Sequence, residues 1–471
     1  MTSVLFLMRN PTHAGNFEPL LRALARRGID TTVAFEERKP GDDHAGLELV
    51  EQLCAECGGV HHDAVLPLPR GPRAAARLAL EAVQDYLWYF EPPFERATKL
   101  RARILPRLPP RAERAVAAAL AVVPGTRRAL AAIARSVAAR MGPDSRALEQ
   151  LRRRRPDLVI VSPLVHPRSR QNDWVLAAHE LGIATMLCIH GWDDLTSKGR
   201  IHPPLDRIAV WNEAQCEQAI AHGAARDRIR VVGAWPYDHW LEWQPSRSRD
   251  ELCRQLGLPD GRALILYACS SRFIAPREVP AVAEWIAALR ACDDPRVAEA
   301  NVIIRPRLST DGWADRPLNG LPGVSVFPSH GVDPVDDATR SDYFDSIVLA
   351  DAVVGVNTSA LLESAILDRR ALAFPPPRFR STQEALPHFR QLLPPDGAVE
   401  VSRSMAEHLG QLSHALAQPG AGAADRRRFV TRFIHAGPPD PPAAERLASV
   451  VEEVLDSSAA RRGAARTAAV R

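Results

Sequence analysis

The sequence has 471 residues, 46% hydrophobic and 25% charged, with 60 basic against 56 acidic side chains, the profile of an ordinary soluble globular protein and not of a disordered or collagen-like chain. Single hydrophobic cores stop growing near about 250–300 residues, so at least two are expected. No stretch reaches the roughly 18 apolar residues of a membrane span. The run Val4–Met8 ends at Arg9 and Asn10, too short for the core of an export signal, so a cytoplasmic location is expected.

The seven cysteines are odd in number and thinly spread, which in such a chain points to free thiols. Cys54 and Cys57 form the one CxxC pair. The nearest further ligands, His61 and His62, are adjacent residues that rarely bind one ion together, so no metal site is expected. The basic residues are 57 Arg and 3 Lys, and their excess is local: Arg70–Arg155 holds 19 basic and 7 acidic residues, a net +12 that leaves −8 for the rest. That is an electrostatic footprint for an anionic surface.

In chain order, Val4–Met8 reads as a buried strand, RNPTHAGN as a loop, and Phe17, Leu20, Leu21 and Leu24 as one face of a helix with Asn16 at its N-cap and Gly28 at its end. Ile29–Phe35 is the next strand, which makes a βαβ start whose first loop stands where open α/β sheets place ligands. From Arg70 to Arg155 the spacing predicts several helices, broken at Pro92-Pro93, Pro109-Pro110 and Pro124-Gly125. Arg on one face and Leu, Val, Trp88, Tyr89 and Phe90 on others suit an anionic lipid surface or lipid-linked acceptor; a plainly solvated helical insertion is the alternative.

Strand-like runs resume at Asp157–Val161, Ile183–Ile189, Asp206–Trp211 and Ile229–Val232, separated by helices over Trp174–Leu181 and Glu213–His222, the second opened by a capping box of Asn212 and Gln215. A second set follows: Leu264–Ala268, Asn301–Arg305, Val324–Phe327, Asp351–Val356 and Ala371–Phe374. Such alternation predicts an α/β chain of two doubly wound parallel-sheet domains. The expected boundaries are 1–240 for the first, with its helical insertion at about 70–155, 241–436 for the second, and 437–471 for a C-terminal helix running through Leu455 into a frayed Ala/Arg tail.

Two segments carry candidate chemistry. In ADAVVGVNTSALLESAILDRRALAF, Ala350–Phe374, a strand ends at Val356 and a helix begins near Ser359. Its first backbone N–H groups favour an anion, Thr358 and Ser359 add hydroxyls, and Glu363, one turn in, can accept from two sugar hydroxyls. The plain alternative is that Thr358 and Ser359 cap the helix and Glu363 complements its dipole. This passage resembles the nucleotide-binding passage of GT-B-fold glycosyltransferases and sugar-nucleotide 2-epimerases. That resemblance implies two domains facing across a cleft, phosphate contacts from Asn357, Thr358 and Ser359, and ribose contacts from Glu363. Arg305, with Arg307 beyond it at a strand exit, and Ser270 and Arg272 after LILYA, are further donors for a diphosphate, which would make a divalent metal unnecessary.

The second segment is IHGWDDLTSKGRIHPPLDRIAVWNE, residues 189–213. His190 suits proton acceptance, with Asp193 and Asp194 as alternatives or orienters and Lys198 nearby; a capping aspartate and a core histidine are the plain alternative. The His190-Gly191 pair resembles the catalytic His-Gly of GT-B-fold glycerophosphotransferases that build teichoic acids. The chain departs from that family at Trp192-Asp193, where the family has Thr-Pro, and at Asn357-Thr358, where it has Asp-Tyr, which weighs against a glycerophosphate donor. The run Trp192–Gly199 is similar to a passage of uncharacterised bacterial GT-B-like proteins. His13, in the loop after the first strand, is the other candidate base, as similar inverting enzymes often hold one there, with Thr12 and Glu18 close in sequence to assist.

Neither a phosphate-binding P-loop nor GxGxxG, HExxH or GxSxG is present, and the basic stretch has few aromatics after Phe94, so ATPase, classical NAD, zincin, hydrolase and nucleic-acid functions have no support. The expectation is a glycosyltransferase, inverting or retaining, taking a sugar from a nucleotide diphosphate donor such as a UDP-sugar to a cell-surface glycan or lipid-linked acceptor. No cofactor beyond that donor substrate is expected. The acceptor is assigned to the first domain and the donor to the second, and the enzyme to the cytoplasm or the inner face of the membrane. A 2-epimerase or glycerophosphotransferase on the same fold, and an inactive membrane-docking scaffold, are the alternatives.

Overall fold

In a parallel sheet covered on both faces, strands need no polar alternation and read as continuous apolar runs. The computed structural model describes residues 2–36, 44–63, 66, 69–108, 125–167, 169–307, 313, 317–332, 334–374 and 377–470, and those runs are its strands. The chain forms two units, Met1–His239 with Phe433–Arg471, and Trp240–Arg432. The first holds β1 (Ser3–Met8), β2 (Asp30–Phe35), β3 (Val60–His62), β4 (Leu158–Ser162), β5 (Ala184–Cys188), β6 (Arg207–Val210) and β7 (Ile229–Val231), in the order β3-β2-β1-β4-β5-β6-β7. Every pairing is parallel, and Phe6 on central β1 sits opposite Val33 and Ile160. The second holds β8 (Leu264–Ala268), β9 (Asn301–Arg305), β10 (Val324–Val326), β11 (Ala352–Gly355), β12 (Arg370–Ala373) and β13 (Val399–Val401), in the order β10-β9-β8-β11-β12-β13, again all parallel.

Each sheet has one topological switch point, where chain progress reverses direction across the sheet: between β1 and β4 in the first, and between β8 and β11 in the second. Loops leaving the carboxyl ends of such strands form the ligand crevice of open α/β sheets. His13 and His190 follow β1 and β5, next to the first switch; Ser270 and Asn357 follow β8 and β11, at the second.

Several local expectations are corrected. Pro11 starts a 3-10 turn that runs to Asn16, so Phe17 and not Asn16 takes the N-cap of the helix Glu18–Arg26, with Leu20, Leu21 and Leu24 buried as expected. Asn212 does accept from Gln215 N at 3.0 Å, but the Gln215 side chain accepts from Trp211 N at 2.8 Å and so does not close a reciprocal box. The C-terminal helix spans Ala443–Val470 and belongs to the first unit. Its first N–H groups, Ala443 and Ala444, donate to Asp238 at 3.1 and 2.7 Å, and Arg27 pairs with Glu445 and Glu452 along its length.

Among its described residues the insertion holds helices Pro72–Trp88, Thr98–Ile104, Thr126–Arg140 and Ser145–Arg154, with 3-10 turns at Pro92–Phe94 and Leu105–Arg107; the expected breaks at Pro109-Pro110 and Pro124 lie outside the described residues. Its aromatic triplet packs within the unit, with Trp88 and Phe90 half-buried. Tyr89 is 1% exposed, Phe90 lies under the guanidinium groups of Arg101 and Arg127, and Trp88 packs on Phe94, His222 and Arg200. Among the described residues, no helix is long and apolar enough to cross a membrane.

Candidate functional site

In the first unit the geometry converges on His190. Its Nδ1 lies 3.0 Å from Ser162 Oγ at the end of β4, and that hydroxyl donates to Cys188 O at 2.8 Å. A hydroxyl has one hydrogen, so Nδ1 is the donor to Ser162; Asp194 Oδ2, 3.6 Å from Nδ1, favours the same tautomer. The hydrogen-bond network thus assigns the proton to Nδ1 and leaves Nε2 as the proton acceptor. Burial holds the imidazole below its ordinary pKa, against the opposing pull of Asp194, so the ring is neutral at physiological pH.

The loop is built to hold this arrangement. Asp194, 1% exposed, accepts from Gly191 N at 2.9 Å and lies so close that a Cβ on Gly191 would stand 2.6 Å from its Oδ1. Gln215 Nε2 fixes Gly191 O at 3.0 Å. Asp193, expected as an alternative base, turns its carboxylate to Ser197 Oγ at 2.6 Å and stands 3.8 Å from Lys198, so it shapes the short helix Asp194–Ser197 and its exit. His13 lies beside His190 with ring centroids 4.8 Å apart and planes tilted by 45°, and its Nδ1 is buried without a hydrogen-bond partner among the described residues. Burial, then the charges of His190, Lys198, Arg9 and His166, push His13 well below the ordinary histidine value. Thr12 donates to Asn10 and Glu18 pairs with Arg22, so those two expected assistants are engaged elsewhere.

Burial also makes this unit acid-sensitive. His222 receives Ile201 N at Nδ1 and faces Leu195 O through Nε2; burial pushes it down to about 3, as it does His408 in the second unit. A folded-state pKa below the unfolded value stabilises above pH 6.5 and is lost as pH falls from 6.5 toward 3. At pH 5 each histidine is expected to cost about 2 kcal/mol relative to pH 7. Chemical denaturation at the two pH values checks it: stability that is unchanged or higher at pH 5 contradicts neutral burial.

In the second unit, Ser270 Oγ accepts from Asn357 N at 3.2 Å across the switch point, while Ser270 N is held by Glu278 at 2.9 Å. The Asn357 amide donates to Thr382 O at 2.9 Å and faces His388 Nε2 at 3.3 Å, so its side chain ties the turn to the loop that follows β12. Thr358 stands at the N-cap of the helix Ser359–Ile366, but its side chain makes no capping bond. Gly355 permits that turn, since a Cβ there would stand 2.8 Å from Thr358 Cγ2 and 2.9 Å from Ala268 O.

Glu363, 7% exposed, accepts a hydrogen bond from Tyr343 OH. Arg305 lies with its guanidinium 5.0 Å from the Tyr343 ring and donates to Asp342 O and Ser346 Oγ at 3.3 and 3.1 Å; burial lowers it to about 10. Arg305, expected at a diphosphate, is thus a buried brace for the helix Asp337–Val348 and for Tyr343. Arg272 is exposed in the loop after β8. Tyr343, Ser162, Thr382 and His388 escape sequence reading because each meets its partner only through the fold.

Two doubly wound parallel sheets, each with polar residues gathered at its switch point, define a GT-B-like fold. No protein-family model and no curated protein matches the chain. Solved structures do. The S. aureus MnaA–UDP co-structure is similar over 97% of both chains at 10% identity and a TM-score of 0.54. The Methanocaldococcus jannaschii UDP-GlcNAc 2-epimerase in complex with UDP-GlcNAc and UDP is similar over 96% of this chain and 100% of its own, at 12% identity and 0.53. A glycosyltransferase from Rickettsia africae is similar over 96% and 98%, at 11% and 0.53. At these identities the likeness is one of fold.

Proposed function

We propose that this chain is a glycosyltransferase that uses a nucleotide-diphosphate sugar, a UDP-sugar in the first instance, to glycosylate a hydroxyl of a cell-surface glycan or lipid-linked acceptor. The observation that carries the reading is His190: a neutral imidazole, oriented at Nδ1 by Ser162 and Asp194, with Nε2 as proton acceptor. In-line glycosyl transfer uses such a base, because the acceptor hydroxyl must lose its proton as its oxygen bonds to the anomeric carbon and the bond to the donor phosphate breaks. The helix Ser359–Ile366, with the Thr358 and Ser270 hydroxyls, is where the departing diphosphate would gain N–H and O–H donors. Glu363 would receive ribose hydroxyls, its carboxylate held by the Tyr343 hydroxyl. Solved structures of this fold holding UDP support the choice of nucleotide.

Glu363→Gln, which keeps an acceptor for Tyr343, is expected to weaken UDP binding about 10- to 100-fold, the loss of one charged hydrogen bond, with the fold intact. Titration calorimetry reads this; wild-type affinity in the variant removes the ribose assignment. A 2-epimerase is the second reading, favoured by the His13–His190 pair, since two adjacent imidazoles could serve two proton transfers at one carbon. Incubation with UDP-sugars and no acceptor separates the two: unchanged sugar fits the transferase, and an epimerised sugar overturns it.

A further inference from the structure

The insertion meets the loops after β4 and β5 at a cavity that the proposed chemistry does not use. Gly199 marks the junction. At its φ of +137°, a Cβ would stand 2.9 Å from Asp85 Oδ2 on the helix Pro72–Trp88 and 3.0 Å from Val165 O after β4, so only glycine lets the three segments close. Asp85 Oδ1 accepts from Arg200 N at 2.9 Å and faces His202 Nε2 at 3.1 Å, which pins the loop to the helix. Glu81, one turn before Asp85 on the same face, accepts from the Asn172 side-chain amide. With His166, these residues line a cavity that admits one group of about the size of a water molecule. The cavity adjoins the base on two loops. His166 follows Ser162 by four residues after β4. Lys198, two residues before Arg200, stands 3.4 Å from Asp194 Oδ1, and the other oxygen of Asp194 lies 3.6 Å from His190 Nδ1.

Three polar atoms of the lining residues are buried without a hydrogen-bond partner among the described residues: Asn172 Oδ1, Arg200 Nε and His202 Nδ1. Asn172 is only 5% exposed and Glu81 7%. The Asn172 oxygen can only accept and the Arg200 nitrogen can only donate. A carboxylate accepts, so the bond to Asp85 puts a proton on His202 Nε2; Nδ1 is then an acceptor in the neutral ring and a donor in the charged one. An anion in the cavity would suit Arg200 but face Glu81, Asp85 and the Asn172 oxygen. An ammonium group would suit those three but face Arg200 and His202. Asp173, the next acid along, is taken by Arg77 at 3.0 Å and does not alter this balance. A hydroxyl both donates and accepts and brings no charge.

We infer that Glu81, Asn172, Arg200 and His202 form a hydroxyl-recognition subsite, and that the acceptor is a neutral sugar, held by one hydroxyl in this cavity while another is presented to His190. Such a subsite rejects a sugar that lacks the hydroxyl, because the buried groups are then left unpaired. The insertion, which supplies Glu81 and holds the loop through Asp85, thereby takes part in acceptor recognition. The inference rests on the transferase reading and names the chemistry of its acceptor.

The test measures binding of methyl glucoside, methyl galactoside and methyl mannoside, and of their monodeoxy derivatives, to the full chain with and without saturating UDP, by ligand-observed NMR. At least one glycoside is expected to bind, and removal of one particular hydroxyl is expected to weaken it about tenfold or more. Asn172→Ala and His202→Gln alter the subsite from two different segments, and the glutamine keeps a donor for Asp85. Each should weaken the glycoside and erase the penalty for the missing hydroxyl, while UDP affinity stays unchanged. Absence of glycoside binding, no hydroxyl whose removal matters, or an undiminished penalty in both variants overturns the inference and leaves the cavity to water. Failure of the transferase reading shows differently, as absence of UDP binding, with the glycosides alone still reporting on the subsite.

Discussion

Replacing His190 by alanine is expected to lower turnover by about 10²- to 10⁴-fold, the range for loss of a general base, while UDP affinity remains that of the parent. The expectation follows from position: His190 belongs to the first unit, and the residues proposed to contact the nucleotide belong to the second. Its pH dependence is a second readout. The ring accepts a proton only when neutral, and burial lowers its pKa from the ordinary 6.5, so activity is expected to hold as pH falls through 6.5 and to decline below it. Steady-state kinetics of the parent across pH, with His190→Ala and Ser162→Ala, check both points. Ser162→Ala removes the acceptor that fixes Nδ1–H and should cost less, since Asp194 still faces that nitrogen. Full activity in His190→Ala transfers the role to His13.

Arg77→Ala is expected to lose about 3–5 kcal/mol of stability, the cost of breaking a buried pair from one side. Arg77 and Asp173 have side chains only 5% and 6% exposed, with Nε 3.0 Å from the carboxylate. The other guanidinium nitrogens donate to Met141 O at 2.7 Å, Gly142 O at 2.8 Å and Ala138 O at 3.3 Å. Truncation leaves a carboxylate and three carbonyls without their donor, at the seam between the insertion and the helix Gln171–Glu180. Denaturant titration reads the loss; a change below about 1 kcal/mol would place Asp173 in its neutral form, the direction in which burial already moves it.

The strands were legible where both faces of the sheet are buried: Leu264–Ala268 and Asn301–Arg305 keep their expected bounds because all five residues of each are buried around an apolar run, Leu264–Ala268 in the one and Val302–Ile304 in the other. The edge strands β3 and β13 were not. Each has three residues, and Val60-His61-His62 exposes both histidines, so neither an apolar run nor alternation marks it. In the candidate site, His190, His13 and Glu363 stood out by chemical type and by place after a strand. Their partners did not: Ser162 meets His190 across 28 residues and Tyr343 meets Glu363 across 20, distances at which no local pattern operates. Asn357 and Arg305 show the converse. Both had the right type for phosphate, yet the amide of one and the guanidinium of the other are occupied by carbonyls and a serine hydroxyl that only folding brings near.

The central claim is that the second unit holds a nucleotide diphosphate, and thermal unfolding with UDP, CDP, GDP, TDP and ADP at millimolar concentration tests it most directly. Ligand at 100 times its dissociation constant adds about 2.7 kcal/mol, and each kcal/mol raises the midpoint of a unit this size by roughly 2–4 °C. A rise of several degrees with UDP, diminished in Glu363→Gln, is expected. No rise with any of the five nucleotides would contradict it and leave the inactive scaffold, whose mark is salt-sensitive binding to anionic vesicles through the basic helices.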